Sequence, residues 1–262
     1  MRKYLRLGLQ KGYKVLFTYF HFKKDSKNPS KKPIAERYNY YRNLALNINK
    51  AFRVVPIVKG EENILNTQCF YTPNHQSVMD PIVLSLVVDK PISFVAKKEI
   101  STYPFVGNIL KSIDGKFLDR EDLRSELKVF KEVENTMAVE KDLSYVIFPE
   151  GTRSKRGNDF NLLPFHPGSF KIAMRNQLPI VPVCIYLTDR ILNQKYHYKK
   201  YPVQITFLKP LYKEDYENLS TAQVSELVSK QIAEELIEMK KKDLELVAKL
   251  NKYSLEKAKK KL

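Results

Sequence analysis

From about residue 64 onward, short runs rich in Val, Ile, Phe and Tyr alternate with stretches of helical pattern, and nothing else in the chain restricts its fold as much. The runs at 69–72, 92–96, 116–118, 144–148, 180–186 and 203–208 read as strands. Helices are expected between most of them, near 81–90, 122–140 and 168–177. Such alternation specifies an α/β domain, with a mixed or largely parallel sheet flanked by helices. The order of the strands within that sheet is not written in the pattern.

Both ends of the chain have a different character. Residues 1–22 read as a helix with Leu5, Leu9, Gly12, Leu16 and Phe20 along one stripe, basic side chains beside it and Phe17, Tyr19, Phe20 and Phe22 at its end. A basic, aromatic, amphipathic helix suits a lipid interface; a helix packed on the protein's own core shows the same stripe. A Lys-, Ser- and Pro-rich linker (23–33) leads to a second helix, whose stripe Ile34, Tyr38, Tyr41, Ala45, Ile48, Phe52 and Val55 fits either an antiparallel hairpin with the first or docking on the domain. The expected organisation is an amphipathic two-helix membrane-docking motif at 1–57, the α/β domain at 58–220 and a charged helical tail at 221–262. The tail carries an intermittent stripe of Val224, Leu227, Val228, Ile232, Leu236 and Met239.

The formal net charge is +17. Residues 1–32 hold ten basic side chains against Asp25 alone, and residues 240–262 hold nine lysines against three acids, while the middle is nearly balanced. Basic arms of this kind attract a polyanion, whether nucleic acid, an anionic bilayer or an acidic carrier protein. No P-loop, zinc pattern or RNP signature supports nucleic acid, so none is expected as a partner. No apolar run approaches the roughly 18 residues of a spanning helix, and no signal peptide is visible. The expectation is a peripheral or monotopic protein on the cytoplasmic face of a membrane. Cys69 and Cys184 sit in strand-like runs with neither a CxxC partner nor a nearby His, so they read as buried free thiols of a reducing compartment. No metal or other cofactor is expected.

The chemistry-bearing residues lie where strands end. Asn74-His75-Gln76-Ser77-Val78-Met79-Asp80 follows one predicted strand and precedes the helix beginning at Pro81. Asp80 can return across the turn to His75, accept a ring N–H and leave the other nitrogen as a base. Asp before Pro at a helix start is also a good N-cap, and the two roles are compatible. Ser77 reads as a cap of the turn. Phe148-Pro149-Glu150-Gly151-Thr152-Arg153-Ser154 follows another strand, with an Arg whose planar fork suits a phosphate; a surface loop with a local ion pair is the plainer alternative. Gly115-Lys116-Phe117-Leu118-Asp119-Arg120 brings a third basic side chain to a strand end.

These three segments, with Leu178-Pro179-Ile180-Val181-Pro182-Val183 after them, occur in the order and spacing of the glycerolipid acyltransferase family, which the chain resembles over about residues 58–212. Within that family the resemblance is to the 1-acyl-glycerol-3-phosphate acyltransferases. It implies His75 as general base, Asp80 as its partner, and Arg120, Glu150, Gly151, Thr152 and Arg153 as the acceptor-binding set. It places Pro179, Ile180, Val181 and Pro182 in the acyl or donor region. It further implies transfer of a fatty acyl chain from acyl-CoA or acyl carrier protein to the sn-2 hydroxyl of lysophosphatidic acid, giving phosphatidic acid at an anionic membrane surface. A related enzyme acting on glycerol-3-phosphate or another lysolipid is the alternative, and a non-enzymatic basic membrane or nucleic-acid binding module would leave the four motifs unexplained. The chain departs from the family where relatives often carry F-K-x-G: here Phe165-His166-Pro167-Gly168 lacks the fixed charge, so His166 is expected to be structural or exposed. No G-x-S-x-G elbow is present, which argues against an acyl-serine route.

Overall fold

The computed structural model describes residues 16–119, 122–154, 162–193 and 195–260. The first half contains helix α1 (16–25), α2 (Ile34–Phe52), β1 (Val54–Lys59), β2 (Phe70–Pro73), α3 (Asp80–Val87), β3 (Ile92–Lys97), α4 (Val106–Ser112) and β4 (Lys116–Leu118). The second contains α5 (Leu123–Val139), β5 (Ser144–Ile147), α6 (Lys171–Arg175), β6 (Ile180–Tyr186), β7 (Tyr201–Phe207), α7 (Lys213–Tyr216), α8 (Thr221–Asn251) and α9 (Leu255–Lys259). The seven strands form one sheet in the order β1-β7-β6-β2-β5-β3-β4. Every neighbouring pair is parallel except β6 and β7. The expected α/β architecture with a mixed, largely parallel sheet is therefore present.

Strands β2, β5, β6 and β7 are buried along their whole length, as strands covered on both faces must be, and their sequences are correspondingly near-continuous apolar runs. On one face Tyr38 and Tyr41 of α2, Val83 and Leu84 of α3 and Ile109 of α4 pack over Tyr71, Phe94, Val181 and Val203. On the other, Val129 and Val133 of α5 and Val224, Val228 and Ile232 of α8 pack over Phe70, Tyr145, Ile180 and Cys184. The 31-residue α8 starts from a capping box in which the Ser220 hydroxyl accepts the Gln223 N–H, while Gln223 Oε1 accepts the Ser220 N–H. Residues 221–260, set apart in the sequence as a charged tail, thus bury their stripe against β6 and β7.

Several elements differ from the sequence reading. The stripe of the second helix was extended to Val55, but α2 ends at Phe52, because Arg53 turns into the left-handed region (φ 59°) and its N–H closes on Asn49 and Lys50 carbonyls. The next six residues form β1, a strand not foreseen, at the sheet edge beside β7. Pro56 is tolerated there because an edge strand has one open side. Helix α4 was also missed; seven residues are too few to show a helical period.

The α2 stripe is used on the domain. The Tyr38 hydroxyl donates to the Val88 carbonyl at 2.7 Å, and buried Arg37 reaches Asp114 at 2.7 Å and Glu140 at 3.1 Å. Helix α1 lies on α2 through His21 and Phe22, whose ring centroids stand 3.6 and 5.1 Å from that of Tyr40. Leu5, Leu9 and Gly12 of the expected stripe fall outside the described residues. Leu16, Phe17 and Phe20 are 57, 69 and 56% exposed. Among the described residues no helix is long and apolar enough to cross a membrane.

Candidate active site

Three parallel strands, β6, β2 and β5, stand side by side at the centre of the sheet, so the loops that leave their C-terminal ends meet at one edge. That edge is where open α/β sheets bind ligands. The β2 loop supplies His75 and Asp80, the β5 loop Glu150 to Ser154, and the β6 loop Leu187 and Thr188.

His75 Nδ1 lies 2.7 Å from Asp80 Oδ2, with Asp80 fully buried and the His75 side chain 18% exposed. The same carboxylate oxygen accepts the backbone N–H groups of Gln76 (2.6 Å) and Ser77 (2.8 Å), and Oδ1 accepts the Thr188 hydroxyl. Four donors converge on one carboxylate, which therefore acts as acceptor and holds the imidazole proton on Nδ1. Nε2 is left as a base. Asp80 opens α3, with Met79 at the cap position, and its carboxylate points back into the loop instead of capping the helix. Ser77 caps the turn as expected, its hydroxyl accepting the Met79 N–H at 3.2 Å.

The backbone of His75 is held as firmly as its ring. Its N–H donates to Glu150 Oε1 at 2.6 Å, and its carbonyl accepts the Ser154 N–H at 2.9 Å and hydroxyl at 3.2 Å. Glu150 Oε2 accepts the Leu163 N–H at 3.1 Å. Only 3% of Glu150 is exposed, and burial pushes its carboxyl up to about 7 against the opposing pull of the His75 and Leu163 N–H groups. The turn that aims it is closed by the Gly151 N–H on the Phe148 carbonyl at 3.0 Å. Pro149 and Gly151 occupy the positions such turns prefer, and Gly151 takes φ 68°, which a side chain would resist. The His166 N–H donates to the Pro149 carbonyl at 2.9 Å and its side chain is exposed. The Phe148 ring lies against His75, centroids 4.1 Å apart.

Beyond the turn Thr152 and Arg153 are exposed, and Arg153 has no ion pair among the described residues. Arg120 lies outside the described residues; β4, which leads to it, is three strands from β2, about 14 Å across the sheet. Pro179 is half-buried at the start of β6, and Ile180, Val181 and Pro182 are buried in that strand. They sit below the edge that carries the dyad, with Val181 opposite Tyr71 and Pro182 opposite Thr72. The structure thus brings His75, Asp80, Glu150 and Gly151 together, leaves Arg153 at the rim and keeps Ile180 to Pro182 in the core, with Pro179 half-buried before them. Both cysteines are free and buried, and burial pushes the Cys69 thiol up to about 11 and Cys184 up as well.

The β6 loop was not singled out in the sequence. The Asn74 side chain bonds the Ile185 backbone in both directions, at 2.8 and 2.9 Å, and Gln76 Oε1 accepts the Leu187 N–H at 2.7 Å. Leu187 adopts φ 63°, an unusual conformation for a branched side chain, and this kink delivers Thr188 to Asp80. Two residues on, buried Arg190 makes a bidentate pair with Asp243 of α8 at 2.9 and 2.6 Å, which fixes the turn from behind.

This arrangement can perform general-base chemistry on a hydroxyl at Nε2, beside an exposed cation and the exposed apolar side chain of Val78. A family model described as Acyltransferase matches residues 55–186. A 1-acyl-sn-glycerol-3-phosphate acyltransferase of Cocos nucifera is 33% identical over 62% of this chain and 52% of its own length. One of Saccharomyces cerevisiae is 31% identical over 66% of this chain and 56% of its own length. The chain thus spans about half the length of the curated relatives it matches. The crystal structure of the 1-acyl-sn-glycerophosphate (LPA) acyltransferase PlsC from Thermotoga maritima superposes with a TM-score of 0.65 at 24% identity, covering 92% of this chain and 98% of that one. That likeness establishes the fold.

Proposed function

This chain belongs to the acyltransferase family, and from that premise we propose that it moves a fatty acyl chain from an acyl thioester to the sn-2 hydroxyl of 1-acyl-glycerol-3-phosphate, giving phosphatidic acid. The observation that carries the proposal is the His75–Asp80 pair, 2.7 Å apart at the open edge of the sheet, with the His75 backbone clamped on both sides. The names of the relatives supply the acceptor class.

In this reading Nε2 of His75 takes the proton of the acceptor hydroxyl as its oxygen attacks the thioester carbonyl carbon. The C–S bond breaks, and the departing thiolate recovers the proton from the imidazolium, whose positive charge the Asp80 carboxylate stabilises. A thioester is already activated, so no covalent enzyme intermediate and no cofactor are needed. Arg153 at the rim, with Arg120, holds the acceptor phosphate, and Thr152 lies beside it. Glu150 and Gly151 serve the site by aiming and bracing His75, since both Glu150 carboxylate oxygens already accept backbone N–H groups. Pro179 to Pro182 act on the donor region only through the strand they build. The donor is acyl-CoA or acyl carrier protein, and the work surface is an anionic bilayer on its cytoplasmic face.

The test is an assay of purified protein with both donors against lysophosphatidic acid, glycerol-3-phosphate and neutral lysolipids. Formation of phosphatidic acid in preference to the other products supports the reading; preferential acylation of glycerol-3-phosphate or of an uncharged lysolipid would replace it.

A further inference from the structure

Strand β7 runs antiparallel to β6 with Gln204 opposite Tyr186, so Tyr201, three residues earlier, stands beyond the end of β6 on the edge where the dyad lies. Val54 of β1 pairs with Tyr201. Three stretches of chain remote in sequence converge at this shoulder. The α2–β1 turn arrives through the Arg53 carbonyl, which accepts the Tyr201 N–H at 2.9 Å. The end of α8 arrives through Asn251, whose side chain bonds the Lys200 N–H and carbonyl at 2.8 and 3.0 Å. Helix α9 is seated by Ala258, fully buried in the core.

The shoulder is strongly basic. Lys50 and Arg53 come from the first stretch, Lys195, Lys199 and Lys200 from the loop before β7, and five lysines from 249–260; all ten are exposed. In the same stretches the described residues offer one exposed carboxylate, Glu256, already paired with Lys260 at 2.9 Å. Leu255, 57% exposed, and Leu46, 41% exposed, stand among these cations. A fold gains nothing from gathering ten like charges on one edge, because they repel.

We infer that this shoulder is a lipid-docking surface that lays the dyad's edge against an anionic bilayer, in addition to any contact made by α1. The inference rests on the reading that the acceptor is a membrane lipid. Nine of the ten cations are lysines, separate hydrated point charges suited to a laterally mobile layer of headgroups; arginine forks would suit the fixed carboxylates of a folded partner. Exposed leucines between them find an apolar environment in a bilayer and none on a hydrated acidic protein face.

The test reverses four exposed charges that belong to neither the dyad nor the acceptor-binding set, Lys199→Glu, Lys200→Glu, Lys252→Glu and Lys257→Glu, in the full chain, with the matching four Lys→Arg changes as control. Binding is measured by co-sedimentation with phosphatidylglycerol–phosphatidylcholine vesicles and with phosphatidylcholine vesicles alone. Each near-surface lysine contributes about fivefold to anionic binding, so the loss of four should weaken binding to anionic vesicles by about three orders of magnitude, and their reversal by at least as much. The arginine control should bind as the parent does, and activity on a short-chain acceptor below its micellar concentration should be unchanged. Undiminished binding of the reversed protein to anionic vesicles overturns the inference. If that binding persists and only transfer from acyl carrier protein falls, the shoulder receives the carrier and the lipid assignment is wrong. A parent protein that acylates no lysophospholipid yet loses vesicle binding on charge reversal would sink the proposed reaction and leave the docking surface standing.

Discussion

At the level of single residues, the site separates groups that do chemistry from groups that aim them. Under the proposed mechanism His75→Ala removes the base, and kcat should fall by roughly 10²–10⁴-fold with the thermal transition preserved; a folded variant with near-parental kcat would remove His75 from the mechanism. Arg153→Ala should instead raise KM for the phosphorylated acceptor with little change in kcat, since the proposed phosphate contact would exist in ground and transition states alike. A donor-specific defect would contradict that assignment. Glu150 has a different signature. Its carboxyl titrates near 7 in the folded chain against an ordinary 4.5, so between those values the folded protein binds the extra proton. Stability from this group is fully present below pH 4.5 and is lost as pH rises through 7, by about 3 kcal/mol. Glu150→Gln should flatten the stability–pH curve across that window in urea titrations; an unchanged slope would assign it to another group. His75 and Asp80 were legible because their chemistry is local, five positions apart. The inward aim of Glu150 and the part played by Thr188 were not, because each depends on a partner 75 or 108 residues away.

Among elements, six of the seven strands were legible to within two residues, because strands covered by helices on both faces are rich in apolar residues. Strand β1 was hidden: its valines continue the α2 stripe, and only the left-handed turn at Arg53 separates the two. The turn after β6 carries a prediction of its own. Thr188→Val keeps the shape and deletes one hydrogen bond to the Asp80 carboxylate, so kcat should fall by about 10- to 100-fold at unchanged KM. Thr188→Ser, which retains the hydroxyl, should restore most of it. Equal loss in both variants would mean that packing, not the hydrogen bond, matters there. For α1, Phe17→Ser with Phe20→Ser alters side chains that are mostly exposed, so the fold should be unaffected. Binding to vesicles should lose its salt-insensitive part. If binding in high salt is unaltered, α1 is simply a packed helix.

Considered as a whole, the molecule places its chemistry at a seam between parts of the chain that are synthesised far apart in time. In the order β6-β2-β5 no two neighbouring strands are consecutive in the chain, so the His75 loop is completed only by residues up to Thr188. Closing loops of that length is slow, and such contacts form late. After a jump out of denaturant, catalytic activity should therefore return with the slowest phase of tyrosine fluorescence, the chain having 16 Tyr and no Trp; activity that recovers ahead of that phase would disprove the coupling. Under the proposed mechanism the antiquity of a nascent segment then counts for nothing: a polypeptide still on the ribosome, with His75 and Asp80 long since extruded, should remain catalytically silent until β6 has emerged and threaded between β2 and the strands to come.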